Sequence, residues 1–169
     1  MFAGKIGVVG EWVRVKAGNK RLVRAAQQQS TEGKRVSIGS TNFGFLQPDW
    51  PDLLMEARRA EAAAHADPRT ACFYARRTLE LAVAWLYQAE GGRGGCLRMP
   101  YKADLSAFLF EPSFQQLVGS AVHAKMDVIR RLGNKAVHDV RPVAAQDAQS
   151  ALRELFHVAF WLAQHYARR

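Results

Sequence analysis

Asp67-Pro68-Arg69-Thr70-Ala71-Cys72-Phe73-Tyr74-Ala75-Arg76-Arg77-Thr78-Leu79-Glu80-Leu81-Ala82-Val83-Ala84-Trp85-Leu86-Tyr87-Gln88-Ala89-Glu90 reads as one amphipathic helix. Its opening pair has a mechanism. The Asp67 carboxylate can cap free backbone N–H groups, and Pro68 gives up a donor that has no partner in the first turn. Cys72, Ala75, Leu79, Ala82, Val83 and Leu86 recur at three- and four-residue spacing and form one apolar stripe. Phe73, Leu81 and Trp85 widen it, which predicts a central helix buried on most sides. Gly91-Gly92-Arg93-Gly94-Gly95 ends it. A single Arg-Gly-Gly unit is too short for an RNA-binding repeat and reads as a helix connection.

Similar signals flank this helix. Asp49 and Pro51 repeat the cap-and-proline opening, and Leu53, Ala57, Ala60 and Ala64 mark a face that should end near His65. Downstream, Asp104 caps a short helix through Phe108 to Phe110, which Pro112 should break, and Ser113 to Val118 adds a short turn. Val122, Met126 and Ile129 mark a further helix from about Ser120, with Gly133 expected to interrupt it. After Pro142 a last helix spans about Ala144 to Ala167 on Ala148, Leu152, Leu155, Ala159 and Leu162, broadened by Phe156, Phe160 and Trp161. No stretch of this body alternates as a strand. Four principal helices with short joins predict an all-α, antiparallel four-helix bundle with a short extra helix.

The chain has 169 residues, 49% hydrophobic and 23% charged, as expected of one soluble domain and too short for a helicase motor or a multi-domain enzyme. The net charge of +9 points to a polyanionic partner, RNA or DNA. That charge is uneven. Residues 1–40 carry eight basic against two acidic side chains, and the rest sixteen against thirteen. We therefore read 1–40 as a basic, flexible extension and 41–169 as the folded domain. Lys16, Lys20, Arg21, Arg24, Lys34 and Arg35 are the candidate nucleic-acid contacts in the extension.

Several classes are excluded. Two cysteines cannot build a disulfide scaffold or a four-thiolate zinc site. Cys72 reads as a buried small hydrophobe and Cys96 as a loop thiol. The five histidines lack zinc-motif spacing, so neither metal nor cofactor is expected. Gly4, Gly7 and Gly10 fit no dinucleotide fingerprint, and no phosphate-binding loop follows. No apolar run reaches the roughly 18 residues of a membrane span, and no secretory signal opens the chain, which makes a cytoplasmic setting the expectation.

One segment carries chemistry: Arg130-Arg131-Leu132-Gly133-Asn134-Lys135-Ala136-Val137-His138-Asp139. On a continuous helix Arg131 and His138 return to nearly the same face, about 10 Å apart, with Asn134 between them. Both ends could touch one phosphodiester. His138 could exchange a proton with a ribose 2′-hydroxyl or a leaving oxygen, since imidazole titrates near neutrality. Arg131 could hold the phosphate, and Asn134 could orient the ribose or the histidine. The RNA would supply its own nucleophile, so RNA and not DNA would be cut. The structural alternative pairs Arg131 with Asp127 and gives Asn134 a turn role and His138 a backbone bond. Glu80, inside an apolar helix, needs a partner. Arg131, Asn134 or His138 on a neighbouring helix could supply it.

Asn42-Phe43-Gly44-Phe45-Leu46, the alanine-rich first helix, Ala75-Arg76-Arg77-Thr78-Leu79-Glu80, Leu132-Gly133-Asn134-Lys135-Ala136-Val137-His138, and Leu155-Phe156-His157 through Trp161-Leu162 form an ordered series. From about Thr41 to Tyr166 the chain resembles the helical domain at the N-terminus of type I restriction R subunits, the DEAD/DEAH-helicase subunits of bacterial DNA restriction systems. That domain is in turn similar to the HEPN superfamily of small, often dimeric helical bundles. The resemblance implies an accessory domain for assembly or nucleic-acid contact in a defence system. Its partners would be restriction-modification subunits or a second copy of the chain. It also leaves two alternatives, a non-catalytic dimeric interaction module and an enzyme, since several HEPN families are metal-independent ribonucleases with an Arg-x(4–6)-His motif. Arg131 and His138 have that spacing, but Leu132 stands where active families commonly place a polar residue. The ATPase and helicase motifs of an R subunit are absent from the sequence.

Overall fold

The computed structural model describes residues 41–91 and 94–168. The basic extension, with Lys16, Lys20, Arg21, Arg24, Lys34 and Arg35, and Arg93 of the glycine-rich join lie outside the described residues. Among the described residues every regular element is helical. A 3-10 turn, Gly44–Leu46, precedes α1 (Pro51–Ala63), α2 (Pro68–Glu90), α3 (Leu105–Leu109), α4 (Pro112–His138) and α5 (Ala145–Tyr166).

Local chemistry explains the starts. Asp67 accepts a bond from the Thr70 N–H at 3.1 Å and another from its hydroxyl, and Asp104 accepts from the Ala107 N–H at 2.9 Å. The Thr70 hydroxyl, then its N–H, hold the Asp67 carboxyl below its usual range. Asp49 does not cap α1, because Trp50 takes the cap position. The Asp49 carboxylate instead meets the Arg168 N–H at 3.3 Å and the Arg168 guanidinium at 3.4 Å.

Two punctuation marks act differently from their sequence reading. Pro112 opens α4 rather than ending a helix, as a first-turn proline without a lost bond. Gly133 does not interrupt α4. The break falls at Gly119, whose φ of 76° and ψ of 159° suit glycine and divide α4 into two helical runs. Gly133 is helical and buried, and a Cβ there would lie 2.4 Å from Arg76 Cβ. Its lack of a side chain serves the close crossing of α2 and α4.

The central role of α2 is clear in the packing: it contacts α1, α3, α4 and α5. All six residues of its main stripe are buried. Tyr87 joins three elements, donating to the Phe108 carbonyl at 2.9 Å and stacking on Phe114 with ring centroids 5.5 Å apart. Burial, and then the nearby Glu111 carboxylate, push its phenol well above the usual range. Trp85 stands edge-on to Trp50 and Tyr166, tying α1, α2 and α5 together. Phe43 and Phe45 pack against Phe156, and Phe45 also meets Phe160, which fixes the 3-10 turn on α5. The expected widening of the α2 stripe stops short. Phe73 is 43% exposed, and Phe160 on α5 is 45% exposed.

Candidate functional site

After Gly119, α4 runs unbroken to His138. Met126, Ile129, Gly133 and Ala136 form its buried face. Asp127, Arg131, Asn134 and His138 follow the same three-four spacing on a different line of the helix. Arg131 is 64% exposed on its side chain, and its Nε meets Asp127 Oδ2 at 3.1 Å. This is the pairing of the structural alternative. Asp127 also receives the Arg130 Nε at 2.9 Å, and the Arg130 guanidinium lies 5.7 Å from the Phe110 ring centre. Asn134 is half-buried and His138 exposed, and among the described residues neither has a hydrogen-bond or ionic partner.

Glu80 is buried at 8% exposure, and an ion pair to it comes from its own helix, Arg76 at 3.2 Å. The Arg76 side chain lies against Gly133, so this pair stands at the crossing of α2 with the motif-bearing helix. One helix thus lines up Arg131, Asn134 and His138, while Glu80 approaches through Arg76.

The sequence reading missed Arg69. Its guanidinium donates to the carbonyls of Ala136 at 2.6 Å, Asp139 at 2.9 Å and Arg141 at 2.7 Å. A signal was present: a cation in a helix's first turn opposes the helix dipole and calls for an anionic or carbonyl partner elsewhere. Beyond the clamp, Asp139 accepts from the Arg141 side chain at 2.9 Å and from its N–H at 2.9 Å. The Arg141 side chain, then its N–H, hold the Asp139 carboxyl down to about 2.

Two further ionic clusters were not anticipated. Buried Glu56 lies 3.0 Å from Arg59 and 3.4 Å from Arg77 of α2. Glu154 gathers Lys125 at 3.0 Å, Arg153 at 3.1 Å and His157 at 3.4 Å. Burial pushes the Glu154 carboxyl up, but the bonds from Lys125, Arg153 and His157 outweigh it and hold the group below its usual range. Separately, Asn42, Glu61, His65, Gln149, Leu152 and Phe156 help line an open groove of about 470 Å³. No α4 residue lines that groove. Both Glu61 oxygens there are already taken, by the Thr41 hydroxyl at 2.6 Å and the Asn42 amide at 2.6 Å.

Cys72 is fully buried and Cys96 exposed. Burial, and then the charge of Asp147, push the Cys72 thiol up to about 11. A thiol held protonated and buried in this way is a poor nucleophile. In a thiol-titration assay on native protein, Cys96 should react within minutes and Cys72 only after denaturant is added. Equal rates would contradict the burial of Cys72.

Among the described residues no helix is long and apolar enough to cross a membrane, and no cluster of three or more His, Cys, Asp or Glu is placed to hold a metal ion. No curated protein and no solved structure matches the chain. A family model described as "Domain of unknown function (DUF4145)" matches residues 58–165, which span α2, α3, α4, α5 and the second half of α1. The chain belongs to the DUF4145 family.

Proposed function

We propose that this protein is an accessory domain with an HEPN-like, antiparallel four-helix arrangement. It is of the kind found at the N-terminus of type I restriction R subunits and contacts nucleic acid in a DNA restriction or defence system. The contact runs along Arg131, Asn134 and His138, with the basic residues of 1–40 adding attraction for phosphates. One observation carries this reading: Asn134 and His138 stand on an unbroken helix in line with Arg131 and have no internal partner among the described residues. Polar groups presented in this way are available to a ligand. The domain works with restriction-modification subunits and pairs with a second copy of itself.

The same line of residues supports a second reading, metal-independent RNA cleavage. His138 would move the proton of the attacking 2′-hydroxyl or of the leaving oxygen, and Arg131 would balance charge on the phosphate. Asp127 bears on this, because its carboxylate occupies the guanidinium that the phosphate would take.

The test uses the full chain with labelled single-stranded RNA and duplex DNA over a salt series, with and without EDTA. Arg131→Ala should weaken binding and reduce the salt slope by about one. Replacing Lys16, Lys20, Arg21, Arg24, Lys34 and Arg35 with glutamine should remove most of the salt-dependent binding. EDTA-resistant RNA cleavage, lost in folded Arg131→Ala and His138→Ala variants, establishes the second reading. Binding and salt slope unchanged in every variant defeat the first.

A further inference from the structure

We infer that Arg69 is a positioning residue for His138: its guanidinium takes carbonyls on both sides of the histidine and thereby sets where the imidazole stands. The inference rests on the reading of the Arg131–His138 line as the nucleic-acid contact. The geometry is specific. One guanidinium nitrogen of Arg69 reaches the Ala136 carbonyl at 2.6 Å and the Asp139 carbonyl at 2.9 Å, and the other reaches the Arg141 carbonyl at 2.7 Å. His138 is the last residue of α4, so these bonds bracket it from inside the helix and from the chain beyond.

The last turn of a helix leaves carbonyls without internal partners, and such ends fray unless something holds them. Here the holder arrives from α2, 67 residues away for the Ala136 contact. The N-terminal turn of α2 meets the C-terminal turn of α4, where a positive charge is favoured by the helix dipole. The Asp139–Arg141 pair closes the chain just past the histidine, with Arg141 Nη2 at 2.9 Å from Asp139 Oδ2. The His138 side chain is exposed and has no partner of its own among the described residues. Its placement therefore depends on its backbone, and Arg69 holds that backbone. The guanidinium's planar fork suits this task. A lysine keeps the charge but offers one nitrogen, which cannot reproduce the two-armed grip.

The experiment compares the full-length wild type with Arg69→Lys and Arg69→Ala. The readouts are the His138 ring resonance by NMR (assigned by its loss in His138→Ala), RNA affinity, RNA cleavage and the thermal melt. In Arg69→Lys the His138 signal should shift or broaden, while the signals of His65, His157 and His165 stay in place. RNA affinity should fall although the charge is retained. Where the wild type cleaves RNA, kcat should fall about tenfold or more, a loss that comes on top of whatever rise in KM the weaker binding brings. A His138 resonance superimposable on wild type in Arg69→Lys overturns the inference. So does unchanged kcat in an enzyme that needs His138. If Arg69→Ala fails to fold, the lysine variant carries the test. If Arg131→Ala and His138→Ala bind RNA as wild type does, the reading of the line fails, and the His138 resonance still decides the role of Arg69.

Discussion

Gly133→Val should lower the melting temperature by ten degrees or more, whereas a glycine acting as a helix breaker would give the opposite sign. On an exposed helix, replacing glycine with alanine gains about 1 kcal/mol of propensity. At Gly133 the new Cβ would lie 2.4 Å from Arg76 Cβ, 2.6 Å from Cδ and 2.9 Å from Cγ. The Cγ and Cδ atoms can swing away, but the Arg76 Cβ is fixed to its backbone. The helices must part, and overpacking of this kind costs roughly 1–3 kcal/mol and occasionally more. Gly133→Ala should therefore be destabilising on balance, and Gly133→Val should lose about 3 kcal/mol or more. In a domain of this size about 1 kcal/mol corresponds to roughly 4 °C. Arg76→Ala should rescue poorly because it keeps the Cβ, while Arg76→Gly should recover part of the loss. Gly119→Ala makes a useful contrast. Open space surrounds that site, so its cost of about 1–3 kcal/mol would come from the backbone conformation alone. A stabilised Gly133→Ala would show that α2 and α4 do not cross there.

The two glycines show where sequence reading succeeds and where it stops. Helical spacing located α1, α2, α4 and α5 because a stripe of apolar residues must face a core, whatever that core is made of. Caps at Asp67 and Asp104 were legible because they act over three residues. Glycine has two uses, a backbone angle and a close approach, and the letters do not distinguish them. Gly119 has the first use and Gly133 the second, a division visible only once α2 is placed beside α4. Pro112 presented the same ambiguity, since a proline ends one helix and begins another equally well.

The candidate site divides along the same line. The alignment of Arg131, Asn134 and His138 follows from helix geometry, and so does the Arg131–Asp127 pair four residues back. What lies across the helices does not follow. Buried Glu80 forms an ion pair with Arg76, one turn away on its own helix. The grip of Arg69 on residues 136 to 141 spans about seventy positions and uses backbone carbonyls, which every residue has. Nothing in the identities of Ala136, Asp139 or Arg141 marks them as its acceptors.

Leu79→Ala should destabilise the protein by about 3 kcal/mol or more, and Phe73→Ala by less than about 1 kcal/mol. By size alone the order would be reversed, because truncating a buried phenylalanine usually costs at least as much as truncating a leucine. Leu79 is fully buried in α2, the helix that contacts the other four. Its loss leaves a cavity into which the surrounding core relaxes only partly. Phe73 shares that helix but is 43% exposed, and its ring stands edge-on to Tyr74, with centroids 5.2 Å apart. Truncating it removes surface already partly in water and opens no void. Chemical denaturation of both variants separates the cases: a shifted midpoint with an unchanged slope reports a loss of native stability. Near-equal losses would mean that the Phe73 side of α2 is covered, as the widened stripe in the sequence suggested, and by something other than the packing of the described residues. Phe73 also lies between Arg69 and Arg76 on α2, the two residues that meet α4 near His138 and Gly133. A covered Phe73 would therefore place the covering surface beside the proposed nucleic-acid contact, whereas a cheap Phe73→Ala substitution leaves that flank open.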